Sequence, residues 1–463
     1  MRQTAVAIVG GGIAGLAAAH TLARRGVPFL LAEARPTFGG VIRTERRAGF
    51  LLEGGPDSIL AQKPEGIALC REVGLGDRLL PTNPEQRSVF VLHHRRLHPL
   101  PEGMMLAVPT RILPFLRSGL FSWPGKLRMG LDLVIPARAP DGDESIASFL
   151  RRRFGPEAVE RLGEPLLAGI HAGDPERLSI RATFPRFADL EARHGSLVRG
   201  MWAAPQPGRK TEAPASAFYS LAGGLGELVE ALVKRLPADR LLTDAPVSSL
   251  ARSGESFRLG LPRGEAVEAR AVIVAAPGPR IAPLLAPIVP DAARALAAVP
   301  FASSATVLLG FRRADVAHPL DGYGLVVPRT EGLRTGACSF FSTKFPGRAP
   351  EGHVLLRGFL GGTRDPGALG LSDQELVDLL RGEMGPVLGL RGAPVMTRVF
   401  RYPGGTPQLE VGHLDRMAEV ERQVAAVPRL FLTGAGIRST GIPDSVADAT
   451  RAATAAAESL EAR

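Results

Sequence analysis

The sequence predicts an α/β protein built on a Rossmann-type dinucleotide-binding domain, with a second domain centred on an antiparallel sheet and a helical insertion. Three observations predict this fold. A strand-like apolar run, Ala5 to Val9, enters a glycine-rich turn and a helical stretch. Further buried-strand patterns occur at 271–276 and 430–433. Four strand-like runs separated by turn residues lie between 306 and 359.

The N-terminal region carries the pattern of a dinucleotide site. Its glycine turn consists of Gly10, Gly11, Gly12, Ile13, Ala14 and Gly15. In such a turn the three spaced glycines allow a tight bend, a close approach of the pyrophosphate and close packing of helix on strand. The helix N-terminus favours an anion. A second apolar run ends at Glu33, the usual place for a carboxylate that binds a ribose hydroxyl. The alternative is a plain glycine turn in a βαβ unit.

Composition narrows the class of protein. The 463 residues are 45% hydrophobic and 22% charged, which is typical of a globular protein. The net charge of +10 comes almost entirely from arginine, which fits a genomic bias, an acidic substrate or an anionic membrane surface. No motif indicates a nucleic-acid partner. The only two cysteines, Cys70 and Cys338, exclude a disulfide framework and a cysteine-based metal site.

Other signals concern location and catalysis. The chain enters its first predicted strand without a cleavable signal peptide, and no stretch is long and apolar enough to span a membrane. We therefore expect a cytoplasmic protein. No metal site and no Ser-His-Asp, cysteine or paired-carboxylate signature is found in the sequence, so no catalytic side chain is named.

The predicted domains are discontinuous. Residues 1–88, 222–290 and 412–463 form the nucleotide domain. Residues 89–103, 184–221 and 291–411 form the substrate domain, and residues 104–183 form the helical insertion. Residues 203–216, rich in Pro, Ala and Gly, are expected to be an exposed loop.

Two glycine-containing segments, Phe38 to Thr44 and Leu52 to Ser58, follow the first motif. With it they resemble the flavoprotein superfamily of monoamine oxidases, phytoene desaturases and protoporphyrinogen oxidases. The resemblance implies FAD. Because both cysteines lie outside the motifs that match flavin contacts, we expect the FAD to be bound non-covalently. Because no second glycine fingerprint opens a helix after a strand, we expect an oxidase that is reoxidised by oxygen, without a nicotinamide site.

Later motifs resemble one branch of this superfamily, the protoporphyrinogen and coproporphyrinogen oxidases. They lie at 164–175, 178–185, 191–201, 221–225, 407–414 and 441–444. The resemblance implies the six-electron oxidation of a porphyrinogen in haem biosynthesis, with three molecules of hydrogen peroxide formed. Protoporphyrinogen IX is the preferred substrate and coproporphyrinogen III the alternative. An amine oxidase, a desaturase and a flavin-holding protein without turnover are weaker alternatives.

The same resemblance assigns site residues. Its cofactor contacts are Gly10, Gly11, Gly12, Ile13, Ala14, Gly15, Glu33, Ala34, Gly40, Val41, Arg43, Gly55, Pro56, Asp57, Ser58, Val247, Thr440, Gly441 and Ile442. The helix opening near Asp444 is expected to face the flavin ring. Gly169 is expected to face the macrocycle.

The partner of the substrate carboxylates is left open by the resemblance. Val89 occupies the place of the family's arginine, so Arg87, Arg95 and Arg96 are the candidates. The predicted apolar wall of the substrate pocket consists of Phe340, Phe341 and Leu356, for which an ordinary core position is the alternative.

The helical insertion also suggests a membrane contact. Residues 104–136 combine apolar blocks with Trp123 and four basic residues, Arg111, Arg117, Lys126 and Arg128. We expect Leu116, Phe121 and Trp123 to rest on the inner face of the cell membrane. The alternative is an ordinary helical cap. A ferrochelatase partner and a homodimer are left open.

Overall fold

The computed structural model describes residues 1–105, 107–138, 142–203, 216–438 and 440–461. Its strands are β1 (Arg2–Val9), β2 (Phe29–Ala32), β3 (Thr44–Arg47), β4 (Phe50–Glu53), β5 (Ile59–Leu60), β6 (Leu79–Pro81), β7 (Val89–His93), β8 (Arg96–Pro99), β9 (Met104–Met105), β10 (Val108–Pro109), β11 (Phe218–Leu221), β12 (Leu241–Leu242), β13 (Ser249–Ser253), β14 (Ser256–Gly260), β15 (Ala266–Val274), β16 (Phe301–Arg312), β17 (Gly324–Val326), β18 (Ala337–Phe340), β19 (His353–Gly361), β20 (Met396–Pro407) and β21 (Leu430–Leu432).

The helices are α1 (Ile13–Arg24), α2 (Pro64–Glu72), α3 (Ile112–Arg117), α4 (Trp123–Gly130), α5 (Ile146–Phe154), α6 (Pro156–Ala158), α7 (Glu164–His171), α8 (Ile180–Thr183), α9 (Pro185–His194), α10 (Leu197–Ala203), α11 (Gly226–Arg235), α12 (Gly278–Leu285), α13 (Pro290–Ala297), α14 (Phe341–Lys344), α15 (Asp373–Leu388), α16 (His413–Ala425) and α17 (Ile442–Glu461). A π-helical turn, Val159–Gly163, joins α6 to α7. The loop predicted at 203–216 falls almost entirely outside the described residues.

The first sheet joins strands from the beginning, middle and end of the chain. Its order is β12-β2-β1-β15-β14-β13, and β21 pairs with β15. The strands β12, β2, β1, β15 and β21 are parallel to one another, with Ile8 aligned to both Leu31 and Ile273. The strand β14 pairs antiparallel with both β15 and β13. Helices cover both faces, with α1, α2, α11 and α17 on one and α12, α13 and α16 on the other. Burial on both faces explains the nearly continuous apolar runs of these strands.

The second sheet has the order β20-β16-β19-β18-β17-β7-β8. The four predicted strand runs correspond to β16, β17, β18 and β19. The four strands pair antiparallel with one another, as expected, and the parallel pair of β17 with β7 makes the complete sheet mixed. The sequence analysis also missed β20, whose polar and glycine-rich stretch conceals the strand pattern and whose pairing with β16 shifts register at Ala302 and Ser304.

The helical insertion forms a cap on one face of the second sheet. Its core contacts Val91, Val326 and Ala337, which lie on that face. The helix α15 covers the opposite face through Leu376 and Leu380. The cap is therefore one wall of the space above the sheet.

The boundaries of the cap differ from the prediction. It begins with the β9–β10 hairpin rather than a helix. It continues past residue 183, because α9 and α10 bury Phe187 and Leu197 in the same core as the preceding helices. The strand β11, assigned to the substrate domain, pairs instead with β5 and β6 from the first stretch of the chain.

Candidate functional site

The glycine turn between β1 and α1 is held by backbone hydrogen bonds. The Gly10 amide donates to the Ala32 carbonyl at 2.8 Å, and the Gly39 amide donates to the Gly11 carbonyl at 2.8 Å. No side chain caps α1 at Gly12, and its first turn contains no acidic residue. The positive end of this helix is therefore open to an anionic ligand.

The glycines of this turn have different physical roles. A Cβ on Gly15 would overlap the Gly10 carbonyl oxygen, so Gly15 is required for packing. A Cβ on Gly11 would come within 3.0 Å of Glu33. A Cβ on Gly12 would meet only the Gly40 Cα, at 4.0 Å. The space beside Gly12 is a cradle that the protein leaves free, as a bound pyrophosphate requires.

Glu33 lies at the carboxyl end of β2 and is largely buried. Its Oε2 accepts a hydrogen bond from the Gly11 amide at 2.6 Å, and its Oε1 accepts one from the Arg35 amide at 2.9 Å. The Ala245 amide donates to the Glu33 carbonyl at 2.9 Å. The structure thus brings Glu33, the exposed Ala34 and the segment that carries Val247 to one edge of the sheet.

The two later glycine segments pack against each other. The Gly54 amide donates to the Arg43 carbonyl at 2.9 Å, and a Cβ on Gly55 would overlap the Val41 carbonyl. Val41 itself is 39% exposed. Gly40 approaches Gly12, since a Cβ on Gly40 would lie 3.2 Å from the Gly12 Cα. These segments therefore extend the cradle, with Val41 and Arg43 at its surface.

The resemblance assigns Asp57 to the cofactor, but in the structure its carboxylate is paired with basic side chains. Lys344 donates to both carboxylate oxygens at 3.0 Å, and Arg357 donates to Oδ2 at 2.9 Å. Burial alone raises the pKa of Asp57, but the charges of Lys344 and Arg357 and a bond from Ser58 hold it well below its usual range. The side chain thus ties the loop to β19 and α14.

Sequence reasoning missed Tyr402, which lies on β20 against the same loop. Its hydroxyl is buried next to Gly54 and Gly55 and has no hydrogen-bond partner among the described residues. The Arg43 guanidinium lies 6.0 Å from its ring centroid. Burial raises the pKa of Tyr402 to about 12, so the hydroxyl is a donor that needs an acceptor. The only advance signal was the rarity of tyrosine in this chain.

The C-terminal turn, residues 433–438 with 440–441, joins β21 to α17. A Cβ on Gly434 would lie 3.9 Å from the Ala14 Cβ, so this turn meets the start of α1. The Ser445 amide donates to the Gly441 carbonyl at 2.9 Å. Asp444 is bound by the Lys63 ammonium at 2.6 Å, which neutralises its charge beside the helix opening.

The predicted substrate residues are separated by the fold. A Cβ on Gly169 would lie 3.5 Å from Ala337 and 3.9 Å from Val326, so α7 packs closely on the second sheet there. Arg87 is exposed near the start of β7, and within the part of the chain that the structure describes it donates only to the neighbouring Pro84 carbonyl, at 2.9 Å. Arg95 lies in the turn at the other end of β7. The two arginines therefore lie at opposite ends of β7.

The prediction that Phe340 and Leu356 line a pocket is wrong. Both side chains have 0% exposure and pack with the core beneath α15, on the face of the sheet opposite Gly169. Phe341, also fully buried, packs with Phe345 in a separate core cluster. Alternation along β18 and β19 determines which face each side chain occupies.

The family model for flavin-containing amine oxidoreductases matches residues 13–459. The chain is 38% identical to the coproporphyrinogen III oxidase of Bacillus subtilis over 451 residues, covering 95% of each chain. It is 33% identical to the chloroplastic protoporphyrinogen oxidase of Oryza sativa over 437 residues, covering 89% of this chain and 80% of the relative. A crystal structure from Exiguobacterium, provisionally described as a protoporphyrinogen oxidase, superposes with a TM-score of 0.86 at 32% identity over 99% of each chain.

Proposed function

The chain belongs to the family of flavin-containing amine oxidoreductases, and within it to the porphyrinogen oxidases, and we propose that it oxidises coproporphyrinogen III to coproporphyrin III. The observation that carries the choice of substrate is the 38% identity to the Bacillus subtilis relative over 95% of both chains. This choice reverses the order of preference that the sequence motifs gave, in which protoporphyrinogen IX came first.

The site suits FAD, the cofactor of this family. The uncapped end of α1 and the space beside Gly12 would hold the pyrophosphate, and Glu33 would meet a ribose. Tyr402 would donate its hydroxyl hydrogen to the cofactor, which satisfies an otherwise unpaired buried donor. Both cysteine thiols are buried with pKa values raised to about 12, so neither supplies a thiolate for covalent attachment.

Bound FAD supplies hydride acceptance and reoxidation by oxygen. Three rounds convert one porphyrinogen and three oxygen molecules into one porphyrin and three molecules of hydrogen peroxide. The protein's part is to bind and orient the substrate. Gly169 brings α7 close to the sheet, and Arg87 offers an exposed guanidinium for a carboxylate. No side chain is assigned as a general base.

Protoporphyrinogen IX is the second candidate substrate. The Oryza sativa relative is named a protoporphyrinogen oxidase, and the Exiguobacterium structure is provisionally described as one. Both favour this substrate. The two substrates differ in carboxylate number, four against two, so arginine contacts distinguish them.

The experiment gives the purified flavoprotein each porphyrinogen in air and measures porphyrin fluorescence and hydrogen peroxide. We expect a higher kcat/KM for coproporphyrinogen III and three peroxides per porphyrin. A higher value for protoporphyrinogen IX would replace the first candidate with the second. No turnover of either, in protein that carries FAD, would overturn the proposed activity.

The cap also supports a proposal about membranes. Among the described residues, no helix is both long and apolar enough to cross a bilayer. However, Trp123, Leu127 and Val134 are 65%, 73% and 71% exposed on the cap surface. Such a patch is typical of a surface that rests on lipid or on another protein. We propose the lipid surface; a homodimer and a ferrochelatase partner stay predictions.

The structure changes the composition of this patch. Phe121 is buried. Lys126 donates to the Leu116 carbonyl at 2.8 Å and lies 4.6 Å from the Trp123 ring, and Arg128 donates to backbone carbonyls of α5. With fewer free cations than the sequence suggested, membrane contact would depend mainly on apolar burial, and high salt would weaken it only slightly.

A further inference from the structure

We propose that His413 is a positioning residue that holds the C-terminal turn in the shape FAD binding requires and connects this turn to the cap. The proposal rests on the proposed assignment of Thr440, Gly441 and Ile442 to the cofactor. His413 belongs to the 407–414 motif, for which the oxidation chemistry supplies no role.

The contact between His413 and the turn is a buried hydrogen bond. The side chain at the start of α16 is 0% exposed, and its Nε2 lies 3.0 Å from the Ile437 carbonyl oxygen. A carbonyl only accepts, so Nε2 carries the hydrogen and donates. Burial lowers the pKa of His413, and Arg416 lowers it further, while the bond to Ile437 and the charge of Asp143 raise it. The ring is therefore neutral near pH 7.

The turn depends on this donor because the turn is buried and tightly packed. Gly436 has φ of 88°, and a Cβ there would lie 2.9 Å from Pro407 and 3.0 Å from Phe301. Ile437 is fully buried, so its carbonyl without His413 would lose a partner in an apolar setting. The other end of the turn meets Ala14 at the start of α1. A shift at Ile437 would therefore reach the cofactor cradle.

The residues before His413 connect it to the cap. The Gly412 amide donates to Asp143 Oδ2 at 3.0 Å, and the Ser179 hydroxyl donates to Oδ1 of the same carboxylate at 2.8 Å. The Val411 amide donates to the Arg177 carbonyl at 2.9 Å. One short segment is thus bonded to the cap at one end and to the C-terminal turn at the other.

The experiment compares two substitutions of His413 whose side-chain amides differ in length. In His413→Gln the side-chain amide can replace Nε2 as donor to Ile437, whereas in His413→Asn the shorter amide lies near the place of Nδ1 and cannot. FAD dissociation constants are measured by serial dilution of the holoprotein and ultrafiltration. His353→Asn is the matched control, because His353 Nδ1 also lies 2.9 Å from a backbone carbonyl, that of Glu351, on the protein surface.

We expect His413→Asn to weaken FAD binding roughly tenfold, the scale of one lost buried hydrogen bond. His413→Gln should stay within about threefold of the parent, and His353→Asn should match it. Equal weakening in the Gln and Asn variants, or none in either, would overturn the proposal. Gly12→Val distinguishes failure of the proposed cofactor site from failure of the role of His413. If Gly12→Val retains FAD, the proposed cofactor site is wrong. If Gly12→Val loses FAD while His413→Asn binds it normally, only the role of His413 is refuted.

A second measurement covers the case in which His413→Asn does not fold. Hydrogen exchange of the amides at 434–438 is then compared between the parent and Asp143→Asn. Because Asp143 holds Gly412 from the cap side, we expect faster exchange in the variant. Unchanged exchange would overturn the connection between cap and turn.

Discussion

Replacing Glu53 by Gln tests how burial changes the pKa of a carboxyl next to the candidate cofactor site. Glu53 ends β4 and is 0% exposed. Its Oε1 accepts from the Leu225 amide at 2.6 Å and its Oε2 from the Thr44 hydroxyl at 2.7 Å. Burial raises the pKa of this carboxyl from 4.5 to about 7, although the two hydrogen bonds oppose the rise. The folded protein therefore holds a proton that the unfolded chain releases at lower pH.

The magnitude follows from the two pKa values. Since the folded state binds the proton more tightly, the free energy of unfolding falls as pH rises from 4.5 to about 7 and is level above that. At about 1.4 kcal/mol per pKa unit, the total loss is about 3 kcal/mol. Glutamine is neutral throughout, so Glu53→Gln should escape this loss. Relative to the parent, the variant should gain about 3 kcal/mol between pH 4 and pH 8.

Urea unfolding of both proteins at pH 4 and pH 8, with the same excess of FAD, measures this gain. Glu45→Gln on the neighbouring strand β3 is the control of opposite sign. Arg398 donates to both oxygens of Glu45 at 2.8 Å, and these bonds lower the pKa of Glu45. Glu45→Gln should thus be less stable than the parent at pH 8. A Glu53→Gln difference that is equal at both pH values would refute the reasoning.

Three further predictions concern ligands. Gly12→Val should fold normally but should not be stabilised by FAD, whereas FAD at one hundred times its Kd stabilises the parent by roughly 2.7 kcal/mol. Gly15→Val should destabilise the protein even without FAD. Thermal unfolding with and without FAD checks both predictions. Arg87→Leu should raise KM for coproporphyrinogen III roughly tenfold and leave FAD affinity unchanged, as lost charged hydrogen bonds imply, and an unchanged KM would remove Arg87 from the site. Replacing Trp123 and Leu127 together by Ser should abolish flotation with anionic liposomes at unchanged FAD content; equal flotation, or none by the parent, would reject the membrane proposal.

The local part of the candidate cofactor site could be predicted from the sequence. The strand, glycine turn, helix, strand and acid at residues 5–33 form a pattern that lies within one short stretch of the chain. The structure places Gly10, Gly12, Gly15 and Glu33 in one cradle with the geometry that this pattern indicates. The order of residue types along this stretch is therefore enough to locate the turn, although β1 also pairs with the distant β15.

The sequence alone could not predict which face of the sheet each strand side chain occupies. Phe340 and Leu356 belong to a sheet that is covered by the cap on one side and by α15 on the other. When both faces are buried, apolar residues occupy both sets of alternating positions, and the pattern no longer distinguishes pocket from core. Lys126 shows the same limit for charge, because its stem is buried while its ammonium finds a backbone carbonyl.

Some side chains in the motifs make polar contacts with residues far away in the chain, and the motifs alone do not reveal these contacts. Asp57 lies in a segment that the resemblance assigns to the cofactor, yet its carboxylate pairs with Arg357, 300 residues away. A buried carboxylate without such partners would take up a proton, so Lys344 and Arg357 are what keep it charged. The Asp57 carboxylate thus fixes the loop after β4 to β19 of the second sheet and to α14. The motif at 407–414 follows the same logic, because His413 bonds the turn and Gly412 bonds the cap. In both motifs, the residues that orient the cofactor site are the ones that join its domains, so a substitution there should change cofactor affinity and domain packing together.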